Sequence, residues 1–132
     1  KDYKRQETWL VLTEAWCGDA AHALPVMEKM VEATDAINVN YVLRDTNLPL
    51  MDMFLTNGGR SIPKLIRMDS QDHTIIDTWG PRPLELQQNF LAAKARGEDM
   101  AEHKKQMQIW YARNRGQAIM EELAQQLELV SV

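Results

Sequence analysis

The sequence contains a single cysteine, Cys17, among its 132 residues. One cysteine cannot form an internal disulfide, and it cannot supply the paired C-x-x-C ligands of a zinc site. The three histidines, His22, His73 and His103, are scattered without metal-ligand spacing. We therefore expect no metal and no other bound cofactor. Because disulfides are typical of oxidising compartments, a lone unpaired cysteine favours a cytoplasmic location.

The chain also lacks an excess of positive charge and any long apolar run. Its 15 Lys and Arg stand against 19 Asp and Glu, a net charge of −4, whereas a nucleic-acid binder needs clustered positive charge. No apolar stretch approaches the roughly 20 residues that span a bilayer. No internal repeat of roughly 20–50 residues marks a solenoid. We therefore expect partners other than nucleic acid or membrane.

What is present suffices for one domain with a real core, since 45% of the residues are apolar. Residues 8–13 form a continuous β-branched and aromatic run, typical of a strand buried on both faces. Ile37–Leu43 alternates, as a strand with one buried face does. Between them, apolar residues recur at helical spacing, interrupted by Pro25. Strand, helix and strand in this order predict a parallel βαβ unit.

The rest of the chain predicts a hairpin and several helices. Residues 64–68 and 74–79 read as antiparallel strands, residues 48–56 as a short helix and residues 84–95 as an amphipathic one. Asp99 begins a helical stretch that is either one broken helix or two. The fold class is therefore α/β, with a four-stranded mixed sheet flanked by helices. We expect a domain over residues 1–97, whose residues 1–7 are a frayed segment or the end of a helix, and a helical extension over 98–132 packed on it.

Three motifs on these elements resemble thioredoxins. Trp16-Cys17-Gly18-Asp19 lies at the first strand-to-helix turn, like the W-C-G-x turn of that family, and Pro25 follows eight residues after the cysteine. Ser61-Ile62-Pro63 precedes the third strand, where thioredoxins carry a cis-proline. The resemblance covers residues 8–95 and is strongest to a bacterial thioredoxin-like family in which W-C-G-D, G-G-R-S-I-P and W-G-P-R-P recur. It implies a thioredoxin-like fold and a cis bond before Pro63.

Two departures from the family pattern concern its chemistry. Ala20 stands where thioredoxins have their second cysteine, so the dithiol mechanism cannot run. Val11 stands where they keep a buried carboxylate that accepts a proton from the resolving thiol. The two losses are mutually consistent, because a site without a resolving thiol has no such proton to remove.

Cys17 is the candidate nucleophile. At a helix N-terminus its thiolate is stabilised by the helix dipole, whereas the neighbouring Asp19 favours the neutral thiol. One hypothesis is a monothiol thiol-disulfide oxidoreductase that forms mixed disulfides with glutathione or with a protein thiol. The alternative is a non-catalytic binding module for a peptide or small ligand, in which Cys17 is a small hydrophobe. A monothiol glutaredoxin is a weaker possibility, because the C-G-F-S turn is absent.

The resemblance places further residues at a groove beside Cys17. Arg82 follows the last strand in a loop stiffened by two prolines; it could stabilise a thiolate, hold a carboxylate or phosphate, or pair with Asp19. The backbone at Ile62 could pair with an extended peptide. The helical extension could cover the sheet or form a homodimer contact through Trp110 and Leu123. The predicted groove residues are Trp16, Gly18, Asp19, Arg60, Ile62, Pro63, Gly80 and Arg82.

Overall fold

A mixed four-stranded sheet carries the fold. The computed structural model describes residues 5–131, and the side chains up to residue 128. The elements are β1 (Glu7–Thr13), α1 (Gly18–Glu32), β2 (Ile37–Leu43), α2 (Leu48–Met51), β3 (Lys64–Asp69), β4 (Ile75–Trp79), α3 (Leu84–Ala95), α4 (Met100–Asn114) and α5 (Gln117–Ser131). The strand order is β2-β1-β3-β4. β1 runs parallel to β2 and antiparallel to β3, and β4 is antiparallel to β3. The predicted fold class is confirmed.

The central strand β1 is covered on both faces. Trp9 and Val11 belong to one core cluster, which also contains Met27 of α1, whereas Leu12 belongs to a second cluster. This division follows from the pleat, because successive side chains of a strand point to opposite faces. The second cluster includes Cys17, and its apolar packing therefore reaches the start of α1.

The expectation of a frayed start is wrong at Glu7. This residue begins β1 and is fully buried. Its carboxylate accepts two hydrogen bonds of 2.9 Å from Arg67 and one of 3.0 Å from the indole of Trp9. Arg67 lies on β3, is equally buried, and also bonds Asp77 at 2.8 Å. The ion pair explains the difference, since a buried guanidinium requires a carboxylate partner. Residues 1–4 lie outside the described residues.

The second helix is shorter than predicted. It ends at Met51 instead of continuing to residue 56. Beyond it, the backbones of Thr56 and Gly59 exchange two hydrogen bonds of 2.9 Å, and Asn57 between them has a φ of 51°. This closed turn uses the backbone groups that a longer helix would need.

The C-terminal stretch forms two consecutive helices. Arg115 at φ 55° and Gly116 at φ 76° separate α4 from α5, and Asp99 caps α4 by accepting a bond from the Ala101 N–H at 3.0 Å. Residues of both helices, Tyr111 and Leu123 among them, join the core cluster of Trp9. The suggested dimer contact through Leu123 is wrong, because that side chain is 1% exposed inside the monomer. No helix within residues 5–131 is long and apolar enough to cross a membrane.

Candidate functional site

Cys17 is fixed at the N-terminus of α1. As the N-cap residue it has an extended backbone, and its Sγ accepts a hydrogen bond from the Ala20 N–H at 3.4 Å. The thiol donates in turn to the carbonyl oxygen of Ile62 at 3.3 Å. The side chain is 8% exposed. The sulfur therefore bridges the first turn of α1 and the loop that precedes β3.

Burial decides the protonation of this thiol. Desolvation is the largest influence and raises the pKa of Cys17 above its ordinary value, although the Ala20 N–H lowers it. The charge of Asp19 raises the pKa further, and that of Arg82 lowers it by less. From the sequence, the helix dipole lowers the pKa of Cys17 and Asp19 raises it, and neither influence prevails. The structure adds burial, which is larger than either charge effect. The raised pKa favours the neutral thiol, which is the form that donates to Ile62.

Two loops with cis peptide bonds pack against each other behind Cys17. The cis bonds are Ile62–Pro63 and Gly80–Pro81. Gly80 has a φ of 115°, and a Cβ placed on it would lie 2.3 Å from the Pro63 carbonyl oxygen. Only glycine allows this approach, because a side chain there would meet backbone. The ammonium of Lys64 reaches both the Gly80 carbonyl at 3.3 Å and Thr56 at 3.0 Å, and burial lowers the pKa of Lys64.

Arg82 pairs with Asp19, one of the three roles considered for it. Its guanidinium donates to both carboxylate oxygens, at 2.8 and 3.3 Å, and to Gln87 at 2.6 Å. It also lies 4.5 Å from the ring centre of Phe90. The hydroxyl of Tyr111 donates to the same carboxylate, and burial and Asp19 raise the pKa of Tyr111. Asp19 thus joins α1 to the loop after β4 and to α4.

Helix α4 covers the first turn of α1, which sequence reasoning missed. Gln108 bonds the imidazole of His22 at 2.8 Å, and that ring stacks on Tyr111 with centroids 4.3 Å apart. A Cβ on Gly18 would lie 3.1 Å from the Gln108 amide nitrogen. In the sequence, Met107, Trp110 and Tyr111 belong to a partial apolar stripe, which predicts a buried helix face but not the element that this face meets. His103 lies in a stretch of mostly polar residues, yet it is 9% exposed, and its ring centroid lies 6.0 Å from that of Phe90.

A cavity of about 550 Å³ opens beside Cys17. It brings Cys17 together with six of the eight predicted groove residues, which are Trp16, Gly18, Asp19, Arg60, Ile62 and Arg82. Pro63 lies buried behind it, and Gly80 lines a neighbouring cavity of about 480 Å³. Trp16 is 66% exposed, with the Arg44 guanidinium 5.0 Å from its ring centre. Trp79, for which the sequence favoured a buried position over a second groove wall, is buried, and its indole N–H donates to Glu122 at 2.8 Å.

The described residues contain no group of three His, Cys, Asp or Glu side chains arranged to hold a metal ion. The groups that line the cavity include the Cys17 thiol, the peptide groups beside it and cationic side chains at its rim. Arg60 at this rim forms a two-pronged pair with Asp52, at 2.8 and 3.1 Å.

The comparisons with known proteins agree on the fold. A family model described as Thioredoxin matches residues 1–101. No curated protein matches the chain in sequence. A Pseudomonas aeruginosa protein of unknown function superposes with a TM-score of 0.72 at 15% identity, covering 98% of this chain and 69% of its own. An HIV epitope scaffold superposes with a TM-score of 0.68 at 13% identity, covering 96% and 68%. Identities this low show similarity of fold alone.

Proposed function

Because the chain belongs to the thioredoxin family, we propose that it is a thioredoxin-fold monothiol protein in which Cys17 exchanges with disulfides. The observation that carries this proposal is the position of the sulfur. Cys17 Sγ lies at the first turn of α1, beside the carbonyl of Ile62, and lines an open cavity. The contacts that hold the sulfur come from two segments far apart in the sequence, so the thiol is positioned as well as buried.

The exchange conserves atoms and electrons. The Cys17 thiol loses its proton, its sulfur attacks one sulfur of a disulfide R–S–S–R′, and the bond to R′ breaks. The product is a mixed disulfide with R, and R′S⁻ takes up the proton as a thiol. No second cysteine exists to resolve this mixed disulfide. A second, external thiol must therefore attack the R sulfur and release the Cys17 thiol.

The hydrogen bond to Ile62 supports a further role for this loop. In the resting protein the Ile62 carbonyl accepts the thiol proton at 3.3 Å. A mixed disulfide has no such proton, so the carbonyl would be released to accept a backbone N–H. An extended peptide bound through its own disulfide would pair there as an added strand. A protein or peptide disulfide, or glutathione disulfide, remains the proposed partner class.

The first test is direct detection of the mixed disulfide. The native protein is incubated with glutathione disulfide across the alkaline range, and its mass is followed against Cys17→Ser as the control. We expect an adduct on the wild-type protein only, forming faster as pH rises, because burial raises the pKa of the thiol. An adduct that forms only in denaturant would contradict the proposal.

Ala20→Cys provides the second test, because Ala20 N already lies 3.4 Å from Cys17 Sγ. The new thiol would stand where a resolving cysteine is needed. We expect the variant to form an intramolecular disulfide and to reduce insulin disulfides with dithiothreitol, while the wild type does neither. A variant that keeps two unreacted thiols under mild oxidation would show that the geometry does not support disulfide chemistry.

The alternative is a non-catalytic binding module that uses the same cavity. The raised pKa of Cys17 favours it, since a neutral thiol is a poor nucleophile. One measurement separates the two functions. A peptide or small ligand that binds the wild-type protein is tested for binding to the Cys17→Ser variant. Unchanged affinity would indicate the binding module, and loss of a covalent complex would indicate exchange.

A further inference from the structure

More cations than carboxylates line the cavity at Cys17, although the chain is acidic overall. The net charge of the protein is −4. The titratable residues that line the cavity, apart from Cys17 itself, are one carboxylate, Asp19, and five cations: Arg44, Arg60, Arg82, Lys104 and Lys105. A concave surface lined by one sign of charge raises the local concentration of ligands of the opposite sign.

Three of the five cations already have carboxylate partners. Arg82 pairs with Asp19, Arg60 with Asp52, and Arg44 with Asp45 at 2.9 Å. Each of these pairs holds its arginine in place, and each pair has no net charge.

The remaining two cations are adjacent lysines of α4. Lys104 and Lys105 are exposed, and within the part of the chain that the structure describes neither forms an ion pair. The sole carboxylate of the cavity cannot balance them, because Asp19 is already held by Arg82 and Tyr111. The cavity therefore keeps an uncompensated positive edge on the helix that covers the first turn of α1.

We propose that these lysines select disulfides that carry carboxylates. The inference rests on the exchange at Cys17 proposed above and names the class of substrate. The cavity volume of about 550 Å³ suits a small molecule. An anionic low-molecular-weight disulfide would place one sulfur against Cys17 and a carboxylate against Lys104 or Lys105.

The test compares three disulfides of similar size and different charge. These are 3,3′-dithiodipropionate, which is dianionic, 2-hydroxyethyl disulfide, which is neutral, and cystamine, which is cationic. The rate of mixed-disulfide formation is measured by mass at about pH 9, near the ordinary range of a cysteine pKa. The wild type is compared with Lys104→Gln/Lys105→Gln. The control is Lys29→Gln/Lys94→Gln, which removes the same charge from exposed positions outside the cavity lining.

We expect the cavity variant to react with the dianionic disulfide roughly 3–10-fold more slowly, the size expected for two partly screened charges. Its rate with the neutral disulfide should stay within about twofold, its rate with cystamine should rise, and the control should match the wild type. Equal changes for all three disulfides, or none, would overturn the inference while leaving exchange intact. A wild-type protein that reacts with no disulfide would refute the exchange itself, and the inference with it.

Discussion

Asp19 and Arg82 should shift the pKa of Cys17 in opposite directions. They form one ion pair at 2.8 Å, yet the carboxylate raises the pKa of Cys17 and the guanidinium lowers it. Asp19→Asn removes the nearby negative charge and leaves the positive one. We therefore expect that variant to lower the pKa of Cys17, and Arg82→Gln to raise it.

The expected size follows from Coulomb's law. For an assumed separation on the order of 7 Å, a unit charge at an effective dielectric constant of about 20 interacts with the sulfur by roughly 2 kcal/mol. Screening at the open cavity reduces this to about 1 kcal/mol, which corresponds to a pKa lower by about 0.7 in Asp19→Asn. The thiolate fraction at neutral pH then rises about fivefold. Because a less basic thiolate is also less nucleophilic, the alkylation rate should rise only about two- to threefold.

The assay is the rate of iodoacetamide alkylation of the native protein as a function of pH, with glutathione as the reference thiol. The two variants control for each other, because both break the same ion pair. Each should lose roughly 1–3 kcal/mol of unfolding free energy, the cost of stranding a partly buried charge. If both variants accelerate alkylation by a similar factor, Cys17 reacts through local opening, and the electrostatic reasoning is refuted.

Three further predictions concern stability, each measured by urea or thermal unfolding. Gly80→Ala should cost roughly 2–4 kcal/mol, because its Cβ would strike the Pro63 carbonyl at 2.3 Å; a near-neutral variant would show that the two loops move apart easily. Glu7→Gln should cost roughly 1–3 kcal/mol, because it removes the charge that pairs with the buried Arg67 while Arg67 keeps its bond to Asp77, and a cost below about 0.5 kcal/mol would contradict this. The folded-state pKa of Tyr111 is raised, so its contribution is present below the unfolded value of about 10 and is lost as pH rises further. Tyr111→Phe should be less stable at pH 7 but should lose less stability above pH 10, and an unchanged alkaline slope would argue against this.

Local patterns predicted most of the secondary structure. The β1 and β2 runs and the apolar spacing of α3 each depend on residues close in the sequence, and α3 has the predicted bounds. The turn around Cys17 was found from short motifs. At the start of β1 a distant residue caused the error, since Glu7 enters the sheet because Arg67, 60 residues later, is buried beside it. At α2 the cause was local, because the backbones of Thr56 and Gly59 bond each other in a turn instead of extending the helix.

The part of the site that could not be predicted comes from α4. Tyr111 bonds a carboxylate 92 residues earlier in the chain, and no local pattern reports such a contact. The stripe of α4 indicated a buried face, but not which element that face would meet. The sequence allowed a partly buried Cys17 but not the size of its desolvation, which depends on how distant segments pack around it.

Helix α4 connects the part of the cavity that could bind an anion with the groups that act on Cys17. The same helix carries the lysines of the cavity rim and the tyrosine that bonds Asp19, whose charge acts on Cys17. If an anion binds these lysines, its occupancy of the cavity and the ionisation of the sulfur become linked equilibria. By reciprocity, whatever factor a bound anion applies to the acidity of Cys17, deprotonation of Cys17 must apply to the affinity for that anion. A disulfide that binds more tightly to the protein with a neutral Cys17 would thus slow the attack of Cys17 on it. One that binds more tightly to the thiolate form would speed that attack.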